Sequence, residues 1–129
     1  MTEELAKAWF SKADRDIKTA KDELATVAPA TDCVCFHCQQ AVEKYFKGYL
    51  VMKKATFDRS HDLEYLKSLC ANFNAAFSSL DIGDLTSYAV EVRYPETAYE
   101  PSFEEASTAL RLAEGVKASV LQYISRTAG

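Results

Sequence analysis

The chain has little that breaks a helix and nothing that builds a sheet. Four Gly and three Pro among 129 residues leave scant material for linkers or tight turns, which excludes a loop-rich or low-complexity protein. No stretch alternates apolar and polar residues for a strand's length, which excludes a β-sandwich or barrel. No continuous apolar run reaches the roughly 18 residues of a membrane span. The start, MTEELAKAWFSKADRDIK, is charged throughout, so neither a secretory signal nor a membrane contact is expected and the protein is placed in the cytoplasm. Positive charge is not in excess: 15 Lys and Arg against 19 Asp and Glu give a net charge of −4. That excludes a general polyanion-binding surface while leaving room for a local basic patch.

Histidine is scarce, with only His37 and His61. No Glu-x-x-His pair is present, which argues against a di-iron bundle. Cys33, Cys35, His37 and Cys38 could be suspected of binding zinc. On one helix they spread around the axis at about 100° per residue, and chelation would need the helix to break. The four cysteines are therefore read as reduced thiols, and no metal or cofactor is expected.

What remains reads as helix, in one domain spanning residues 1–129. Leu5, Trp9, Ala13, Ile17, Ala20, Leu24 and Val27 follow the 3.6-residue period and predict a long first helix ending near Ala28-Pro29. Thr31 or Asp32 can cap a second helix running to about Lys53. Along CFHCQQAVEKYFKGYL, residues Cys35, Phe36, Val42, Tyr45, Phe46, Tyr49 and Leu50 line one side. Gln39, Gln40, Glu43, Lys44 and Lys47 form a polar flank, with Glu43 and Lys47 at i, i+4.

A polar loop over residues 54–60 precedes a short third helix carrying Leu63, Leu66, Leu69 and Cys70. Asp81 can cap a fourth, with Leu85, Tyr88, Ala89 and Val92, closed by Tyr94-Pro95. Ser102 and Glu105 make a capping box for the last helix. Gly115 within it suggests a close helix contact. The expected fold is all-α: an up-and-down four-helix bundle with an additional short helix.

Four signals in order resemble the HEPN family (higher eukaryotes and prokaryotes nucleotide-binding domain) over nearly the whole chain. They are the opening AKAWFSKADRDIKTAKDEL, the helix CFHCQQAVEKYFKGYL, His61-Asp62-Leu63, and Val92-Arg93-Tyr94-Pro95. The last is similar to the RYP element of small prokaryotic members. The resemblance implies a helical bundle that forms homodimers and works beside a minimal nucleotidyltransferase as a toxin–antitoxin pair. It also implies a metal-independent ribonuclease motif, an Arg followed after four to six residues by a His. Arg93 fits the first position, as a phosphate contact. The positions open to the His hold Ala98, Tyr99 and Glu100, so the motif lacks its imidazole.

Glu91, Glu96, Glu100, Glu104 and Glu105 surround Arg93 in sequence and disfavour a polyanion there. Lys44, Lys47, Lys53, Lys54 and Arg59 make the alternative basic stretch. The ligand-binding candidates are therefore Arg93, Tyr94, Glu96, Tyr99, Lys44 and Lys47. Arg93, Tyr99, Glu100 and His61 are the catalytic candidates if any nuclease chemistry survives. Each has a plainer role: Arg93 pairing with Glu96 or Glu100, His61 fixing its loop, Tyr94 and Tyr99 filling a dimer interface. By resemblance, Tyr99 is also a candidate acceptor of AMP from the partner enzyme. The favoured expectation is a HEPN binding protein that takes nucleotide or RNA in a dimer cleft. A divergent ribonuclease and a purely structural dimerisation module are the alternatives.

Overall fold

The computed structural model describes residues 2–89 and 100–128. Its four α-helices are α1 (Thr2–Leu24), α2 (Thr31–Met52), α3 (Leu63–Ala71) and α4 (Phe103–Ala128). Two 3-10 turns, Ala75–Ser79 and Leu85–Ala89, lie between α3 and α4. There is no strand among the described residues, and the all-α bundle is the architecture found. No described helix is long and apolar enough to cross a membrane.

α2 is the axis of the molecule. The short connection from α1 makes the two antiparallel: Glu23 accepts a bond from the Ala30 N–H at the turn, and Phe10 lies against Gly48 at the other end. α4 runs antiparallel to α1 as well, through Lys21–Glu114 and Asp14–Lys117. α4 is therefore parallel to α2. The Thr31 hydroxyl donates to the Pro101 carbonyl at one end, and the Tyr49, Phe77 and Tyr123 rings meet at the other. The chain between α2 and α4 has to travel back along the bundle: the loop over residues 53–62 returns it to Gln39 and Glu43, α3 runs down again to set Cys70 by the Phe46 carbonyl, and the segment after Phe77 climbs until Tyr88 meets Glu105.

The apolar side of α2 is buried as its spacing requires, with Cys35, Val42, Tyr45, Phe46, Tyr49 and Leu50 almost fully covered. Its polar flank is buried too: Gln39, Glu43 and Lys47 lie inside although they carry the polarity of a surface. A helix enclosed on both sides is what a central element in a small bundle becomes once α1, α4 and the 53–62 loop have all packed on it.

Several local expectations change. Ala30, not Thr31 or Asp32, is the N-cap of α2, and it makes no side-chain cap bond. The Thr31 hydroxyl is used across the bundle, and Asp32 accepts from the adjacent Cys33 N–H. Asp81 closes a turn onto Gly83 N–H, with Gly83 at φ +48°, so residues 81–84 turn where the periodicity predicts a helix start. Only Leu85–Ala89 then coils, as a 3-10 turn. The predicted helix end at Tyr94-Pro95 lies outside the described residues. Leu5 and Val27, on the apolar stripe of α1 by sequence, are exposed.

Gly115 has nothing within 4 Å of where a Cβ would stand, so it marks no close contact. That role belongs to Gly48, where a Cβ would fall 2.5 and 2.8 Å from the Phe10 ring. Opposite outcomes are expected for the two alanine substitutions. Gly115→Ala gains up to about 1 kcal/mol of stability from helix propensity. Gly48→Ala loses about 1–3 kcal/mol to overpacking, enough to cancel or exceed that same gain. Urea denaturation of both variants reads the difference; equal stabilisation would disprove the close approach at Gly48.

Burial pushes the Cys35 thiol up to about 11 and the Cys38 thiol up to about 12 from an ordinary 9.0. It raises Cys70 as well, and raises the Tyr45 and Tyr88 hydroxyls with help from Asp14 and Glu105. In alkaline solution the unfolded chain loses these protons first while the folded chain keeps them. Stability is therefore whole below about pH 9 and declines as pH rises towards 11 and 12. Thermal melts from neutral to alkaline pH should show this decline. In the folded protein, exposed Cys33 should be the thiol that reagents label first.

Candidate functional site

Gln39, Glu43 and Lys47 succeed one another at i, i+4 and i+8, one row along α2. α1 and the loop over residues 53–62 cover that row. The loop ends at Asp62, whose carboxylate caps α3 by accepting from the Glu64 and Tyr65 N–H groups. This cap fixes the residue before it, His61, beside the row. His61 Nδ1 lies 2.8 Å from Glu43 Oε1, and the His61 carbonyl accepts from Gln39 Nε2 at 3.2 Å.

Glu43 is the hub. Its Oε1 faces His61 Nδ1 and accepts from Gln39 Nε2 at 3.3 Å, while its Oε2 accepts from Lys47 Nζ at 2.9 Å. Its side chain is 5% exposed and that of Lys47 10%. A carboxylate so enclosed is tolerable only because three donors replace the water it lost. Because an ionised carboxylate only accepts, the proton on His61 sits on Nδ1. Nε2 is then the nitrogen that faces outward, on a side chain 60% exposed.

His61 opens onto a cleft of about 450 Å³ lined by Trp9, Lys47, Phe57, Arg59, Ser60 and itself. That is a volume within the range of small-molecule sites. Lys47 Nζ stands 5.6 Å from the Trp9 ring centroid as a cation–π contact. Arg59 is exposed and makes no ion pair with any described residue. Two aromatic rings, a guanidinium without an ion-pair partner among the described residues and an outward imidazole nitrogen therefore share one opening.

A second carboxylate pins the same face from α1. Asp16, nearly buried, takes His37 Nδ1 at 2.8 Å on one oxygen and Lys44 Nζ at 2.5 Å on the other. Asp14 accepts from the Tyr45 hydroxyl and from Lys117. These bonds register α1 against α2 and α4, and so set the depth of Trp9 in the cleft.

A larger hollow of about 640 Å³ is lined by Glu64, Gly83, Asp84, Thr86, Ser87, Tyr88 and Glu105. The Tyr88 hydroxyl donates to Glu105 there at 2.5 Å. With three carboxylates on its walls it repels phosphate, so size alone does not make it the better site for an anion.

Of the residues singled out by sequence, the structure brings Lys47 and His61 into the cleft. Lys44 is committed to Asp16 instead. Glu100 is exposed just before Pro101. Arg93, Tyr94, Glu96 and Tyr99 lie outside the described residues. His61 does more than fix its loop, since it reaches a carboxylate 18 residues earlier in the chain. His37 pairs with Asp16 and meets the Phe36 ring edge-on. Trp9 and Phe57 escaped the sequence reading as site residues. The i, i+4, i+8 row of Gln39, Glu43 and Lys47 is the signal that could have pointed to them. Among the described residues no group of three His, Cys, Asp or Glu is placed to hold a metal ion.

The family model described as HEPN domain matches residues 6–123. No curated protein and no solved structure matches the chain.

Proposed function

Because this chain belongs to the HEPN domain family, we propose that it is a nucleotide- or RNA-binding protein that works as a homodimer beside a minimal nucleotidyltransferase. Family membership supports a nucleotide- or RNA-related role in general; the binding mode and the partner are our reading. The observation that carries it is the cleft in which Trp9 and Phe57 stand beside Arg59 and His61. Aromatic faces accept a base by stacking, and the Arg59 guanidinium takes its phosphate. Arg93 would supply a further anion contact, consistent with its place in the RYP element.

Trp9 is the chain's single tryptophan, so its fluorescence reports the cleft directly. Nucleoside phosphates or short single-stranded RNA should change that emission, with an apparent affinity that weakens as salt rises. No change with any of them would sink the binding reading. Co-expression with a minimal nucleotidyltransferase encoded beside it, followed by size-exclusion chromatography, tests the pairing and the dimer. Elution as a lone monomer would remove both.

One observation favours the ribonuclease alternative. Glu43 holds His61 with Nε2 outward, the orientation a general base needs. RNA cleavage that disappears in both Arg93→Ala and His61→Ala would favour this alternative, a divergent ribonuclease that uses Arg93 with His61 in place of the missing base.

A further inference from the structure

We propose that the cleft reads a terminal phosphate monoester on its nucleoside ligand, and that His61 takes up a proton as that phosphate seats. This rests on the nucleotide reading above and narrows it to one ligand class.

The argument begins with charge. Lys47 lines the cleft but its ammonium is spent on Glu43 at 2.9 Å. The pair is neutral to an incoming anion. Arg59 is therefore the one permanent cation in the cleft without a partner among the described residues. An internal phosphodiester carries one negative charge, and Arg59 alone can match it. A terminal phosphate carries close to two above its second ionisation near pH 6. Matching the second charge requires another cation at the same opening, and His61 is the group there that can become one.

The surroundings of His61 favour that change when an anion arrives. From α2 its Nδ1 faces Glu43, which is itself held by Lys47 and Gln39. From its own loop come Arg59 on the cleft wall and Asp62, whose carboxylate is engaged with the α3 N–H groups. Glu64 stands in the first turn of α3. α1 presents only Trp9 to the cleft. A seated phosphate puts an acceptor at Nε2. A proton moves from solvent to that nitrogen, and the imidazolium then bridges the Glu43 carboxylate and the phosphate with one N–H to each.

Size agrees with a chain end. A cleft of about 450 Å³ holds one nucleotide and has no room for a duplex. The monoester could belong to a free nucleotide or to the end of an RNA strand; the shared chemistry is the terminal phosphate, and the test separates the two.

Isothermal titration of the full-length protein, at about pH 7.5 in two buffers of different ionisation enthalpy, reads both parts. The four nucleoside 5′-monophosphates are compared with their nucleosides, and a 5′-phosphorylated short RNA with its 5′-hydroxyl form. Monophosphates should bind at least about tenfold tighter than nucleosides, the equivalent of one good charge-assisted contact. The buffer dependence of the enthalpy should show net proton uptake, and affinity should weaken as pH rises. His61→Gln should weaken the binding of monophosphates, leave nucleosides unaffected, and lose both the uptake and the pH dependence. A preference of the RNA pair for its phosphorylated member would assign the monoester to a strand end; a response from mononucleotides alone would assign it to free nucleotide.

Equal affinity for monophosphates and nucleosides would overturn the inference and leave the nucleotide reading standing. So would binding without proton uptake, or uptake unchanged in His61→Gln. Absence of binding by every ligand would instead remove the nucleotide reading itself, and this inference with it.

Discussion

Glu43→Ala is expected to lower the unfolding free energy by about 3–5 kcal/mol, the usual penalty for orphaning a buried charge. The residue touches no ligand, yet its loss strands the Lys47 ammonium without its acceptor in a region nearly closed to water, while Gln39 Nε2 keeps only the His61 carbonyl. For a domain of this size the loss corresponds to a fall in Tm of roughly 10–20 °C. His61 is a weaker member of the same network because most of its side chain already sees solvent. His61→Ala should therefore cost about 1 kcal/mol or less. The decisive control is the double variant Glu43→Leu with Lys47→Met. With both charges gone no ion is left uncompensated, and most of the lost stability should return. A double variant as unstable as Glu43→Ala would show that packing volume, not the stranded ammonium, sets the cost. Guanidinium unfolding of the three variants, read by circular dichroism, decides it.

Trp9→Ala is expected to weaken nucleotide binding by about 10- to 100-fold, since stacking a base on an aromatic ring contributes about 1–3 kcal/mol. Because the substitution removes the reporter, binding is followed by titration calorimetry or by anisotropy of a labelled nucleotide. Arg59→Ala should act differently. It lowers affinity for every base alike and reduces the dependence of log K on log salt by about one phosphate contact. Arg59 is exposed and makes no ion pair among the described residues, so its removal should leave the melting curve in place. Trp9, half-buried and in contact with Lys47, should show a modest stability loss besides. Unchanged affinity in both variants would move the ligand away from this cleft.

The parts of the fold that sequence alone made legible are those governed by spacing along one element. α2 is the clearest case. Tyr45, Phe46, Tyr49 and Leu50 recur at helical steps, and all are buried. Asp62, which starts α3 as its cap, and Ser102, which accepts from the Glu105 N–H, are likewise local chemistry readable from a few neighbouring residues. The stretch over residues 81–89 was misread for a local reason as well. Leu85, Tyr88 and Ala89 have helical spacing, but the Asp81 turn onto Gly83 at positive φ occupies the place where a helix would nucleate. Periodicity reports which face is apolar and is blind to a turn that interrupts it.

The candidate site was legible only in fragments. Lys47 and Arg59 stood out as basic, and His61 as one of two histidines. Nothing in their order shows that Lys47 is neutralised by Glu43, or that Lys44 is claimed by Asp16 from another helix. Both facts reverse the weight a sequence reader gives those lysines. They follow from which helix face α1 covers, and that depends on the sum of contacts along the whole α1–α2 interface.

By itself, then, the sequence determined an all-α chain, a second helix with one apolar side and one polar flank, and membership of the HEPN family, because helical periodicity, caps and family motifs are properties of residues near one another along the chain. Tertiary structure decided the rest. It buried the polar flank of α2, turned Glu43 into the anchor of His61, and set Arg59 on the wall of the cleft that holds Trp9. The physical reason is that the state of a charged or aromatic side chain depends on what a distant segment brings within a few ångströms of it. Asp16 and Lys44 are 28 residues apart, and Glu43 and His61 are 18 apart; only the packed bundle makes them neighbours.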